Sequence, residues 1–164
     1  MCERTTMSLE SVTADLKLRA PHLTIVQASE PTPTVASAAR VHGVQEGQIA
    51  KTLAFWVGNP SQGNAVLIVA SGTARIDNKK FKNYFGATGK MLNPQEVLAL
   101  TSHAVGGVCP FGLPAPVAIY LDNSLRAFEV VMPAAGCTHS MVKLSVEQLS
   151  QLTSGVWVDV AKDG

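Results

Sequence analysis

A chain of 164 residues, 46% hydrophobic and 15% charged, carries enough apolar material for one well-filled core and lies far from the composition of a disordered polymer. No apolar run approaches the roughly 18–20 residues that cross a bilayer, so membrane-spanning helices are excluded. A formal net charge of +1 argues against a globally basic nucleic-acid binder.

Residues 1–7 (Met-Cys-Glu-Arg-Thr-Thr-Met) are polar, lack the apolar core of a secretion signal and read as a leader, with Met7 an alternative start; residues 8–164 then form one domain. Residues 8–19 place Leu9, Val12 and Leu16 on one helical face, and Ala20-Pro21 ends that helix. A strand is expected over 23–26, then a helix over 34–42 that Gly43 stops. Two strong β runs, 49–57 and 65–70, flank a Gly/Asn/Pro-rich turn and predict a hairpin. Asp77 is an N-cap for a basic helix reaching Phe85, with Gly86 closing it, and Asn93-Pro94 opens a helix through Leu100. A Gly/Pro-rich loop over 106–116 leads into a strand over 117–121. Strands over 128–132 and 140–144, a short helix from Ser145 and a strand over 156–160 complete an α+β (mixed α/β) domain with hairpins of antiparallel character.

Charge and cysteine content become informative when located. Between positions 75 and 90, Arg75, Lys79, Lys80, Lys82 and Lys90 face one acid, Asp77, a local charge of +4 that leaves −3 elsewhere. Such a run is ordinarily a solvated helix face; its functional reading is a phosphate-contacting patch with salt-sensitive binding. Cys2, Cys109 and Cys137 form a sparse, odd set without metal-ligand spacing, which fits a reducing cytosol and predicts no metal. Phosphate-loop and dinucleotide fingerprints are both missing from the sequence. Trp56 and Trp157 read as packing residues.

Two segments carry the chemistry. In Ile49-Ala50-Lys51-Thr52-Leu53-Ala54-Phe55 one lysine interrupts an apolar strand, and its ammonium must reach either water or a polar pocket, because burying it unpaired is costly. In Gly106-Gly107-Val108-Cys109-Pro110-Phe111-Gly112 two residues without Cβ let the backbone approach a ligand closely. A strand-edge lysine and an ordinary tight loop are the bland alternatives. Together the segments predict a small cleft with one cation and bare amides, and no obvious protein nucleophile. A thiol reading, Cys109 or Cys137 with His103 or His139 as base, lacks a nucleophile signature. His22 and His42 carry no signal.

These segments, with Ala134-Ala135-Gly136-Cys137-Thr138-His139-Ser140-Met141-Val142-Lys143-Leu144 later in the chain, resemble the YbaK/ProX aminoacyl-tRNA deacylases, relatives of the editing domain inserted in bacterial prolyl-tRNA synthetases. In order and spacing the resemblance spans roughly residues 9–160. It implies a strongly twisted mixed sheet flanked by helices, Lys51 as the essential catalytic residue, and no cofactor. Gly106, Gly107, Val108, Pro110, Gly136 and His139 fall in substrate-binding positions, with the amides of Gly107 and Val108 on the substrate carbonyl, Pro110 limiting pocket size, and His139 orienting substrate or water. The glycine and proline four apart match the spacing of alanine-editing members, while Ala-Gly-Cys-Thr-His departs from other branches and leaves alanine, cysteine, serine or a non-protein analogue open.

The reading is therefore a cytoplasmic trans-editing enzyme that cleaves the ester of mischarged tRNA, foremost tRNA for proline bearing alanine or cysteine. Arg75, Lys79, Lys80 and Lys82 are its tRNA-facing set, and a prolyl-tRNA synthetase or elongation factor is a candidate docking partner. Lys51 is expected to act through its full positive charge. A non-catalytic aminoacyl-tRNA or synthetase binding module and a thiol-dependent small-ester hydrolase are the competing classes.

Overall fold

The computed structural model describes residues 6–163. Helix α1 (Thr6–Arg19) opens the described chain, two residues earlier than expected, so most of the expected leader lies outside the described residues. Strand β1 (Ile25–Gln27) follows. In α2 (Val35–His42) the Thr34 hydroxyl accepts the Ser37 amide, and Gly43 leaves the helix in the left-handed region.

β2 (Ile49–Val57) and β3 (Ala65–Ser71) form the expected antiparallel hairpin, in register from Ala50↔Ser71 to Trp56↔Ala65. Asp77 caps α3 (Asn78–Phe85) by accepting the amides of Lys79 and Lys80, and Gly86 closes it. A strand not expected from sequence, β4 (Gly89–Met91), returns along the far end of β2. Asn93 and Glu96 cap α4 (Pro94–Thr101) reciprocally. Beyond the 106–116 loop come β5 (Ala118–Asp122) and β6 (Val130–Pro133). The single strand expected over 140–144 is two, β7 (Ser140–Val142) and β8 (Leu144–Ser145), which pair with β1 and β6 respectively. Helix α5 (Val146–Thr153), capped by Ser145, and β9 (Val156–Val158) complete the chain.

The main sheet runs β8-β6-β2-β3-β5-β9, with β4 sharing β2's outer edge. β6 against β2, β5 against β3 and β9 against β5 are parallel, so the sheet is less antiparallel than its hairpins suggested. β3 lies at its centre and is buried from Val66 to Ser71, as a strand covered on both faces must be. Alternation along β2 and β3 divides the core. Ala50 and Val69 face α1, α5 and the Cys109–Phe111 segment, whereas Leu53, Phe55, Val66 and Ile68 meet Phe81 of α3.

Candidate active site

On one edge β2 is bonded to β3 from Ala50 to Trp56. On its other edge it pairs with β6 at Ile49 and Ala50 and with β4 from Phe55 to Val57, and the ladder is interrupted between. A cleft of about 270 Å³ opens at this interruption. Its walls are largely apolar, from Leu53, Leu92, Val97, Val105 and Met141, with the Pro33-Thr34 turn at one side. Lys51, Gly106 and Val108 line it together, so two of the sequence segments meet at one place.

Lys51 is half-buried, and its Nζ donates to the carbonyls of Gly72, at 3.3 Å, and of Ala74, both in the turn that follows β3. An ammonium has three donors, so one is left for a ligand. Burial pushes the Lys51 pKa below the ordinary lysine value, and the neighbouring Arg75 charge pushes the same way. The turn is held by contact: a Cβ on Gly72 would lie 2.1 Å from the Glu46 carbonyl oxygen. Sequence reading missed Gly72 and Ala74, whose part is played by main-chain oxygens; a glycine closing a buried strand was the one available signal.

The glycine loop is braced by the late segment. Gly106 has φ +97, and a Cβ there would stand 2.9 Å from Thr138 Cγ2. A Cβ on Gly107 would come within 2.7 Å of Cys137 main-chain atoms, and the Gly136 amide donates to the Gly107 carbonyl at 3.0 Å. Gly107 and Gly136 are therefore back-to-back supports and do not line the cleft. The Gly107 amide donates to Ala104 O at 2.9 Å, so its expected place on a substrate carbonyl is taken. Thr32 Oγ1, donating to Thr138 O at 2.9 Å, ties the Pro33 wall to the same support.

Other expected residues lie elsewhere. Pro110 lines a separate hollow with Asp15, Arg19 and Gly112 and is not a cleft-lining residue. His139 is not a cleft-lining residue; its Nδ1 is 3.2 Å from the Thr138 hydroxyl. Cys109 is fully buried with Sγ 3.5 Å from His103 Nε2, which itself meets Phe111 O at 2.7 Å. Burial pushes the Cys109 thiol up to about 12, the reverse of what a nucleophile needs. Cys137 is buried and disulfide-bonded, which departs from the reduced set expected. Arg75, Lys79 and Lys82 are exposed, whereas Lys80 is spent on Asp159 and Asp163 at 3.0 and 2.8 Å. Trp56 Nε1 donates to Glu96, and Arg126 stacks 4.0 Å from the Trp157 ring, so both indoles do pack at the sheet.

A mixed sheet flanked by helices, whose broken strand edge holds a lysine-bearing apolar cleft, defines an α+β domain with a cleft of small-ligand size. Residues 29–152 match the family model described as "Aminoacyl-tRNA editing domain", and the chain belongs to that family. It is 43% identical over 158 residues to the uncharacterized protein YwhH of Bacillus subtilis (strain 168), covering 96% of this chain and 99% of that one. The crystal structure of a candidate trans-editing enzyme for prolyl-tRNA synthetase superposes with a TM-score of 0.86 at 32% identity, over 95% of this chain and 98% of its own. The hypothetical protein APE2540 superposes with a TM-score of 0.84 at 29% identity, over 93% and 99%.

Proposed function

We propose that this protein is a single-domain trans-editing deacylase that hydrolyses the ester of mischarged tRNA for proline carrying alanine or cysteine. The observation that carries the reading is Lys51, a cation with one uncommitted donor at the wall of a small apolar cleft, in a chain of the aminoacyl-tRNA editing family. Water attacks the ester carbonyl, the bond from that carbon to the ribose oxygen breaks, and the ribose hydroxyl recovers a proton. Free amino acid and tRNA leave. Lys51 neutralises the terminal phosphodiester or the oxyanion as charge develops. An adjacent ribose hydroxyl of the substrate assists in place of a protein base. A synthetase pocket rejects a smaller side chain by only about 1–3 kcal/mol per methylene, so a second and smaller sieve is useful.

Arg75, beside Lys51, with Lys79 and Lys82, forms the tRNA-facing surface in this reading. A prolyl-tRNA synthetase or elongation factor delivers the substrate, and the protein works in the cytoplasm. Release of labelled amino acid from Ala-tRNA and Cys-tRNA of the proline isoacceptor, with Pro-tRNA alongside, tests the proposal. Turnover of a mischarged species, with Pro-tRNA spared and Lys51→Ala inactive, is the expected result. A folded protein that binds these tRNAs without turnover would instead be the binding module.

A further inference from the structure

The interruption in the β2 ladder leaves specific main-chain groups unmatched. Successive residues of a strand aim their N–H and C=O at alternate edges. Val57 donates to Asn64 beside β3, whereas Gly58 donates to Thr88 beside β4, and the Ala54 carbonyl accepts from Leu92 at 3.1 Å on that same outer edge. Even-numbered residues of β2 therefore face the gap. Ala50 is paired there with β6 and Trp56 with β4, and Leu92 takes the Ala54 oxygen. Thr52 lies between them, in the cleft wall, with no ladder partner on that edge among the described residues. Its hydroxyl is also enclosed without a hydrogen-bond partner. The main-chain N–H and C=O of Thr52, on the unpaired stretch of the strand edge, are the groups a polar ligand entering the cleft can take up.

The geometry points to Thr52 as the residue that reads the aminoacyl group, by forming with it a one-residue antiparallel ladder. This inference rests on the ligand being an aminoacyl ester. In an antiparallel hydrogen-bonded pair two residues exchange both bonds, so an extended aminoacyl group donates from its α-ammonium to Thr52 O and accepts at its carbonyl from Thr52 N–H. The second bond polarises the carbonyl carbon toward water in the neighbourhood of Lys51. The gap between Ala50 and Phe55 spans about 16 Å at 3.3 Å per residue, room for an amino acid and its ester rather than a long peptide strand. A prolyl ester keeps two N–H bonds on its secondary ammonium, but its ring fixes the torsion about N–Cα and puts a methylene in one of the three positions through which alanine's ammonium can turn a donor toward Thr52 O. The contact that grips alanine or cysteine thus disfavours the correct amino acid, independently of side-chain volume.

The test pairs turnover with binding. Rate enhancement over uncatalysed hydrolysis is compared for alanyl-tRNA and propionyl-tRNA, which differ in the ammonium alone. Binding of 3′-alanylamino-adenosine and 3′-propionylamino-adenosine, whose amides resist hydrolysis, is followed through backbone amide shifts. The expected results are at least a tenfold loss of rate enhancement with propionyl, and a Thr52 amide shift with the alanyl compound that is at least tenfold weaker at equal concentration with the propionyl one. Equal handling of the two acyl groups, or binding that leaves the Thr52 amide unmoved, overturns the inference, as does an equal Thr52 shift from an N-acetylated tetrapeptide. A Thr52 shift without turnover keeps the inference and removes the deacylase; turnover without that shift does the opposite.

Discussion

Gly72→Ala tests whether the turn after β3 is what aims Lys51. The added Cβ would sit 2.1 Å from Glu46 O, 2.7 Å from Val35 Cγ1 and 3.1 Å from Ile49 O. Two of these atoms are main chain, so relief requires the turn itself to move by about 1 Å. Overpacking of this kind costs about 1–3 kcal/mol, and backbone obstruction places it in the upper half of that range. At about 2–4 °C per kcal/mol for a chain of this size, the melting temperature should fall by roughly 5–10 °C. The Gly72 carbonyl moves with the turn, and Lys51 Nζ, bonded to it and to Ala74 O, moves too. Misplacing a catalytic group by about 1 Å costs on the order of 100-fold in rate. Gly63→Ala is the control: Gly63 has φ +71 with no atom within 4 Å of its added Cβ, so the change costs about 1–2 kcal/mol through local strain alone. Thermal melts and deacylation are measured for both variants well below their melting points. If Gly72→Ala turns over as fast as Gly63→Ala, the turn does not position Lys51 for catalysis.

Three further outcomes follow from the same geometry. Cys109→Ser should retain turnover within about twofold, and native Cys109 should resist iodoacetamide at pH 7, because burial pushes its thiol up to about 12; rapid alkylation coupled to inactivation would return the thiol hydrolase to consideration. Burial raises the Asp15 pKa, but its bond to Arg19, the Gly112 amide and the Arg19 charge together hold it below the ordinary value. A depressed folded-state value means stability present above an unfolded pKa near 3.9 and lost as pH falls through the folded value. Asp15→Asn should therefore lower the melting temperature by about 2–4 °C at pH 7, roughly 1 kcal/mol since Arg19 is 40% exposed, and by much less at pH 3; a constant difference would contradict this. Lys79→Ala and Lys82→Ala should each reduce the salt slope of tRNA binding by about 1, and Lys80→Ala by less because Asp159 and Asp163 already neutralise it. Equal slopes for all three would place the tRNA elsewhere.

Most elements were legible because their ends are written in side chains. Thr34, Asp77, Asn93 and Ser145 each cap the helix expected after them, and Gly43 and Gly86 stop theirs. β4 was not legible: Gly89, Lys90 and Met91 are three exposed residues without alternation, and they form a strand only because β2 offers an edge. The break between β7 and β8 was hidden for a similar reason, since Val142 and Leu144 are both buried but answer to β1 and β6. A local pattern shows that a segment is extended; it does not show with whom it pairs.

The candidate site divides along the same line. Lys51 stood out because a charge in an apolar run has few comfortable places. Pro110 lines a different hollow from Lys51, and sequence could not show this because the direction of a loop is set by what packs behind it, here α1, whose Ser11 and Val12 main chain would lie 2.7 Å from a Cβ on Gly112. Thr52 was passed over because its part falls to N–H and C=O groups left unmatched by β4 and β6, which are distant in sequence. Main-chain groups recur at the cleft: carbonyls at Gly72 and Ala74 hold the lysine, and the unmatched pair at Thr52 belongs to a residue of its wall. Such groups leave a trace in sequence only where a side chain would obstruct them, as at Gly72 and Gly107. The glycines of this chain are therefore better guides to its site than its histidines and cysteines.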